Sequence, residues 1–273
     1  MYNNDFLQKK ISSYHPLQPG FEFNMDHYIE LKRGRDLISQ DVTLIYQFKT
    51  SRDSLNSTLV VPDGCIDLTF CCNPKKSTAN IIGTVLQGKQ IVFKENTEYF
   101  GIRYLPGQGI YLMKELINKQ IPLLDVISSA YGIVDKIGEA QSFKERTELL
   151  VNFINSSTLK LYTVPNIVSY SIKAICIARG NLTIDQLAQE TGYSNRYLRK
   201  KFEEFIGLSP KVFSEIIRFQ NSLKMIIDPK NYDYSDIINE NGYYDQSHLN
   251  NQFKKFCNLT PAKLKDTFSL IKK

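Results

Sequence analysis

Thr183-Ile184-Asp185-Gln186-Leu187-Ala188-Gln189-Glu190-Thr191-Gly192-Tyr193 is echoed about fifty residues on by Asp233-Tyr234-Ser235-Asp236-Ile237-Ile238-Asn239-Glu240-Asn241-Gly242-Tyr243. Each stretch predicts a short helix, a glycine turn and a second helix, which is the sequence form of a helix-turn-helix. Thr183 and Asp233 stand at N-cap positions, and Gln186 completes a T-x-x-Q capping box with Thr183. Ile184, Leu187 and Ala188 recur at helical spacing, as do Tyr234, Ile237 and Ile238, and give each short helix a buried face. Gly192 and Gly242 end those helices, where positive φ lets the chain turn without a Cβ clash. Ser194 and Asp245 can cap the helices that follow; these carry Leu198, Phe202 and Phe205 in the first copy and Leu249, Phe253 and Phe256 in the second. The second turn is one residue longer than the first.

Both copies close on the same punctuation, Gly207-Leu208-Ser209-Pro210 and Asn258-Leu259-Thr260-Pro261. A hydroxyl N-cap followed by proline starts a helix, because the N–H that proline lacks has no intrahelical partner at that position. A duplicated helix-turn-helix on a basic segment points to DNA.

With these motifs in place, residues from about 166 to 268 resemble the DNA-binding domain of the AraC/XylS family of bacterial transcription regulators. The resemblance is carried by Gly-Tyr-Ser-x-x-Tyr-Leu-x-x-x-Phe from Gly192, by Gly-Leu-Ser-Pro, by the connecting segment Phe213 to Ile227, and by Gly-Tyr-Tyr-Asp-Gln-Ser-His-Leu-x-x-x-Phe from Gly242 ending in Leu-Thr-Pro. It implies helix-turn-helices at about 183–206 and 233–257, joined by a rigid connecting helix at about 210–227. It also implies two recognition helices in successive major-groove segments on one face of double-stranded promoter DNA, with RNA polymerase as a partner.

At 273 residues the chain suits two domains. Residues 1–158 hold 17 basic and 17 acidic side chains, whereas residues 159–273 hold 17 and 11, so the whole net charge of +6 lies with the helix-turn-helices. A polyanion partner is expected for that half. The five cysteines form no spaced framework, and no signal-peptide pattern is present, which points to a reducing cytoplasm. No run approaches 18 apolar residues, so no membrane span is expected. The domain boundary is placed between Ser156-Ser157-Thr158 and Pro165-Asn166.

The expected fold class is α+β. In residues 1–105, short apolar segments at Thr43 to Phe48, Thr58 to Val61, Ile66 to Phe70, Ile81 to Leu86, Ile91 to Phe93 and Tyr99 to Tyr104 lie between turn residues, the pattern of a β-sandwich or a cupin-like barrel. Residues 106–158 read as helices, at Gly109 to Lys119 and Phe143 to Ile154. Residues 159–273 form an all-α domain of two helix-turn-helix subdomains.

In the first recognition helix the polar face holds Asn195, Arg196, Arg199 and Lys200, and in the second Gln246, Ser247, Asn250 and Asn251. Arginine pairs bidentately with guanine O6 and N7, so Arg196 and Arg199 are the leading base readers; Asn and Gln suit adenine, so the second helix favours an A·T-containing half-site and weaker binding. Phosphate contacts are assigned to Thr183, Ser194 and Tyr244 at helix ends and to Lys201, Lys254 and Lys255 in helix bodies. His248 has no neighbour at metal-ligand spacing.

The sharpest motif of the front half is Val60-Val61-Pro62-Asp63-Gly64-Cys65-Ile66-Asp67-Leu68-Thr69-Phe70, a Pro-Asp-Gly turn running into a strand. Together with Ile82-Gly83-Thr84 and Phe100-Gly101-Ile102-Arg103-Tyr104-Leu105-Pro106-Gly107 it resembles an uncharacterised front domain found on one subset of AraC-type regulators, with Tyr104 where phenylalanine is usual. That resemblance implies a sensor, for which Asp63, Asp67, Arg103 and Tyr104 are the ligand candidates. The spacing places Asp63, Cys65 and Asp67 on one strand face, and an inward Arg103 needs an acidic partner such as Asp67 or an anionic ligand.

Carboxylates beside Cys65 raise its pKa and blunt it as a nucleophile, and His15 and His27 lie too far apart in sequence for a cupin metal site. No catalytic residue, metal or cofactor is therefore expected. A sequence-specific regulator controlled by a small molecule or partner is the leading reading. The alternatives are a ligand-independent regulator whose front domain only forms a homodimer or docks a partner, and an enzyme fused to a DNA-binding module. The last would need an activated cysteine, typically in a Pro-Cys-His context, which the chain lacks.

Overall fold

The structure, a computed structural model, describes residues 14–32, 42–51, 56–73, 75–108, 113–156, 164–228, 230 and 232–271. Among the described residues the front half runs from helix α1 (Pro19–Asn24) through strands β1 (Asp26–Lys32), β2 (Val42–Lys49), β3 (Ser57–Val60), β4 (Ile66–Cys72), β5 (Thr78–Ile82), β6 (Lys89–Val92) and β7 (Glu98–Tyr104). After them come α2 (Met113–Leu116), β8 (Gln120–Pro122), α3 (Leu123–Val126), α4 (Tyr131–Glu139) and α5 (Phe143–Ser156).

Six strands form an antiparallel sheet in the order β1-β2-β7-β4-β5-β8, and β3 pairs with β6 in a separate ribbon. The central strands β4 and β7 are buried along almost their whole length because both faces of the sheet are covered. Ile45, Leu68, Phe70, Phe100 and Ile102 face α3, α4 and α5 in one core. Leu44, Tyr46, Phe48 and Tyr99 turn the other way and meet Phe21, Met25 and Phe93 in an aromatic cluster. This division follows the two-residue period of a strand. Arg146 of α5 fastens the helical layer to the sheet, donating to Gln47 Oε1 at 2.6 Å and to Glu98 Oε2 at 2.8 Å.

The β-rich front half with trailing helices and the all-helical back half agree with the sequence expectation. Three details differ. Strands β1 and β8 add to the segments that the sequence pattern marks. The strand expected over Ile81 to Leu86 runs instead from Thr78 to Ile82, because at Gly83 the backbone turns away to donate to Lys119 O at 3.1 Å. The helix expected over Gly109 to Lys119 is reduced, within the described residues, to α2; the chain leaves it at Asn118, whose φ is 58° and whose side chain accepts from Leu86 N at 2.8 Å. Residues 109–112, and residues 157–163 at the expected domain boundary, lie outside the described residues.

The back half comprises α6 (Asn166–Ile177), α7 (Ile184–Thr191), α8 (Asn195–Ile206), α9 (Pro210–Ile227), α10 (Tyr234–Asn241), α11 (Gln246–Cys257) and α12 (Pro261–Ile271). Helices α7 and α8 form the first helix-turn-helix, α10 and α11 the second, and α9 joins them. Phe213, Ile216, Ile217, Phe219, Gln220 and Leu223 bury α9 on nearly every side, as expected of a helix that is core to several neighbours.

The caps follow the sequence closely. Thr183 and Gln186 form the reciprocal capping box, and Ser194, Ser209 and Asp245 each accept a backbone N–H of the helix they start. Gly192 and Gly242 take left-handed φ values of 72° and 66°. Asp233 holds the extended backbone of an N-cap, but its side chain makes no cap hydrogen bond.

Candidate nucleic-acid interface

Helix α8 buries Leu198, Phe202 and Ile206 and turns Arg196, Arg199 and Lys200 to the surface. Asn195 is partly buried, and its Nδ2 donates to Asp185 Oδ1 on α7, which ties the start of α8 to its neighbour. Helix α11 buries Leu249, Phe253 and Phe256 while Gln246, Ser247 and Asn251 are exposed and Asn250 is half-buried. Helices α8 and α11 border one cleft of about 750 Å³, with Arg199 and His248 on its walls beside Thr183, Lys211, Glu215 and Arg218. His248 packs edge-to-face on Tyr243 at 5.2 Å, and its Nδ1 accepts from Tyr244 N at 3.3 Å.

The phosphate candidates divide into two kinds. Lys201 Nζ lies 3.1 Å from Glu204 Oε2, and Lys255 Nζ lies 2.7 Å from Glu215 Oε2, so each cation already has an anion. The hydroxyls of Thr183 and Ser194 serve as caps. Lys254 and Tyr244 are exposed and have no acidic partner among the described residues; Tyr244 is 91% exposed.

In the front half Arg103 grips Asp67 with two parallel bonds, Nε to Oδ1 at 2.8 Å and Nη2 to Oδ2 at 2.9 Å, and its Nη1 lies 3.7 Å from Asp63 Oδ2. Burial alone would weaken the guanidinium's hold on its proton, but Asp67 and Asp63 outweigh it and raise the Arg103 pKa. Asp63 lies in the turn before β4, not on the strand with Asp67, because the Pro-Asp-Gly turn delays the strand to Ile66. Both its oxygens are engaged: Oδ1 accepts from Cys65 N at 2.9 Å and Oδ2 from Gln18 Nε2 at 2.9 Å. Tyr104 is not brought together with these three. Strand alternation sends it into the core under the helices, while Arg103 lies over the Tyr46 ring on the opposite face. The Cys65 thiol is buried, and burial followed by the Asp63 charge pushes its pKa well above the usual value.

Three residues bearing on this arrangement gave no sequence signal: Tyr14, Gln18 and Gln220, whose partners lie 43 to 203 positions away. Among the described residues there is no group of three side chains able to hold a metal ion, and no helix is long and apolar enough to cross a membrane.

Residues 187–267 match the family described as "Helix-turn-helix domain". Among solved structures, the chain is similar to the C-terminal domain of AraT, a response regulator from Geobacillus stearothermophilus, at 20% identity over 39% of this chain and 88% of that one, with a TM-score of 0.37. It is also similar to ToxT from Vibrio cholerae, at 9% identity over 88% of this chain and 98% of that one, with a TM-score of 0.45. A third similarity is to unsaturated fatty acid bound ToxT from Vibrio cholerae, at 13% identity over 87% and 93% of the two chains, with a TM-score of 0.39. No curated protein matches the chain in sequence. The back half carries a helix-turn-helix domain of the kind found in DNA-binding transcription regulators, in line with the AraC-type resemblance of its motifs.

Proposed function

We propose that the protein is a sequence-specific transcription regulator that binds double-stranded promoter DNA through both helix-turn-helices, with control exerted on the front half by a small molecule or a partner. The observation that carries this reading is the split character of α8 and α11: each buries an apolar stripe and leaves Arg196, Arg199 and Lys200, or Gln246, Ser247 and Asn251, exposed. Arg196 and Arg199 suit guanine, and the amides of α11 suit adenine. Lys254 and Tyr244 supply phosphate contacts that set affinity without choosing sequence. RNA polymerase and a second copy of the chain complete the partners of this reading.

The test is titration of the full chain against mixed-sequence duplex DNA at rising salt. Binding should weaken so that log K falls linearly with log salt, with a slope of about −0.9 per phosphate neutralised. A folded chain that binds no duplex at low salt overturns the reading.

One observation favours a second reading of the front half, as a ligand-independent docking body. Arg103 is bound to Asp67 and faces Asp63, two carboxylates to one guanidinium, so the cluster has no spare positive charge to offer an anionic effector.

A further inference from the structure

The Pro-Asp-Gly-Cys turn of the front half sits against the connecting helix of the back half. Val61 belongs to the same hydrophobic core as Phe213, Ile217 and Phe219 of α9. Gly64 has φ of 75°, and a Cβ there would lie 3.0 Å from the Phe213 ring, so the turn lies flush on the helix only with glycine at that position. Gln18 locks the turn from behind, accepting from Val61 N at 3.0 Å and donating to Val61 O at 2.7 Å, while the Tyr14 hydroxyl donates to Asp63 O at 2.6 Å.

Gln220 makes the joint specific. Its side chain is 2% exposed, and its three hydrogen bonds all reach the front half: Oε1 accepts from Leu17 N at 2.8 Å, and Nε2 donates to Pro62 O at 2.7 Å and to Leu17 O at 3.3 Å. A buried amide is tolerated where its polar atoms are satisfied. Among the described residues no group of α9 bonds the Gln220 side chain, so a glutamine at this position makes sense only with the front half in place.

Two further contacts reach the recognition helices themselves. Asn258, the left-handed cap of α11, donates to Gly88 O at 3.0 Å, and a Cβ on Gly88 would stand 2.8 Å from Cys257 Cα. Helix α2 packs on α8. The front half therefore touches α8, α9 and α11 together, yet Arg196, Arg199, Lys200, Gln246 and Asn251 stay exposed. A body that grips both helix-turn-helices without covering their polar faces acts as a brace, not a mask.

We propose that the Val61–Cys65 turn is an intramolecular docking surface whose partner is α9, and that the docked front half holds the two recognition helices in a fixed mutual placement for DNA. The bracing part rests on the DNA-binding reading, whereas the docking part does not. The experiment compares the full-length parent with Gln220→Ala and Gly88→Ala, measuring amide hydrogen exchange and affinity for a duplex that the parent selects from a random-sequence pool.

In Gln220→Ala the amides of Leu17 and Val61 should exchange about ten-fold faster while those of α8 and α11 keep their protection, and affinity should fall by roughly five- to ten-fold. Gly88→Ala pushes a methyl into Cys257 without touching Gln220, and should lower affinity to a similar degree; it carries the DNA test if Gln220→Ala does not fold. Unchanged protection at Leu17 and Val61 in folded Gln220→Ala would overturn the docking role. Faster exchange with affinity equal to or above the parent's would overturn the brace. A parent that selects no duplex would sink the DNA-binding reading and the brace with it, while the exchange measurement still decides the docking.

Discussion

Tyr193 and Tyr243 occupy the same place in the two helix-turn-helices, directly after the turn glycine, and their fates are opposite. Tyr193 is 45% exposed and stacks on Tyr197 with ring centroids 4.9 Å apart. Tyr243 is buried; its hydroxyl donates to Gln252 and lies 3.1 Å from the Ser222 hydroxyl of α9. The first copy takes its geometry from local chemistry, with a full capping box at Thr183 and a hydroxyl cap at Ser194. The second has a cap at Asp245 but none from the Asp233 side chain, and is in addition pinned to the connecting helix through Tyr243, with Lys255 to Glu215 as a second tie. One fold is thus secured by two means, the first within a few residues of sequence and the second across the tertiary structure.

The largest expected difference between the copies lies at the DNA. Arg196→Ala or Arg199→Ala should relax sequence choice by about 1–3 kcal/mol per lost bidentate contact, whereas Asn250→Ala and Asn251→Ala should cost less and Lys254→Ala should weaken all sequences alike. Competition binding against single-base variants of a selected duplex measures this. A second helix that discriminates more strongly than the first would reverse the ranking.

Stability should then separate the tyrosines. Tyr243→Phe deprives buried Gln252 and Ser222 of a partner and should cost about 1–3 kcal/mol, while Tyr193→Phe should stay within about 0.5 kcal/mol. Burial raises the Tyr243 pKa above the ordinary phenol value, so the folded state keeps that proton where the unfolded chain loses it. Its contribution is therefore full below about pH 10 and declines above it. Denaturant melts of parent and Tyr243→Phe should converge as the pH rises past that point; curves that stay parallel would mean that the hydroxyl is not held protonated.

The smallest effect tests the caps. Thr183→Ala should cost about 1 kcal/mol, and Asp233→Ala within about 0.5 kcal/mol because no cap bond is lost there. Equal losses by thermal melting would erase the distinction between a locally and a tertiarily secured copy.

Features acting over three to five residues were legible in the sequence: Thr183 with Gln186, Gly192, Ser194, Gly207, and Ser209 with Pro210 all do what their spacing implies. The pairing of Arg103 with Asp67 could also be anticipated as an inward cation in need of an anion. Strand β1 escaped because its register shifts between Asp26 and Ile29, with His27 at φ of 49°, which breaks the alternation that marks a strand. β8 has three residues, too few to show a period. For the recognition surface, the sequence identified the polar faces but could not show which cations were already taken: Lys255 meets Glu215 across 40 positions. The joint built on Gln220 was invisible for the same reason. Its partners are backbone groups of a distant segment, and no local pattern encodes them.

The bond between Leu17 and Gln220 spans 203 positions, and it orders events during synthesis. A ribosome adding about 5–20 residues per second makes Leu17 roughly 10–40 seconds before Gln220. In that interval the turn at Val61 has been made while the helix that will cover it has not. Docking is therefore a late step in the assembly of the molecule. A nascent chain stalled before Gln220 displays an apolar turn that chaperones, or other nascent chains, can reach first.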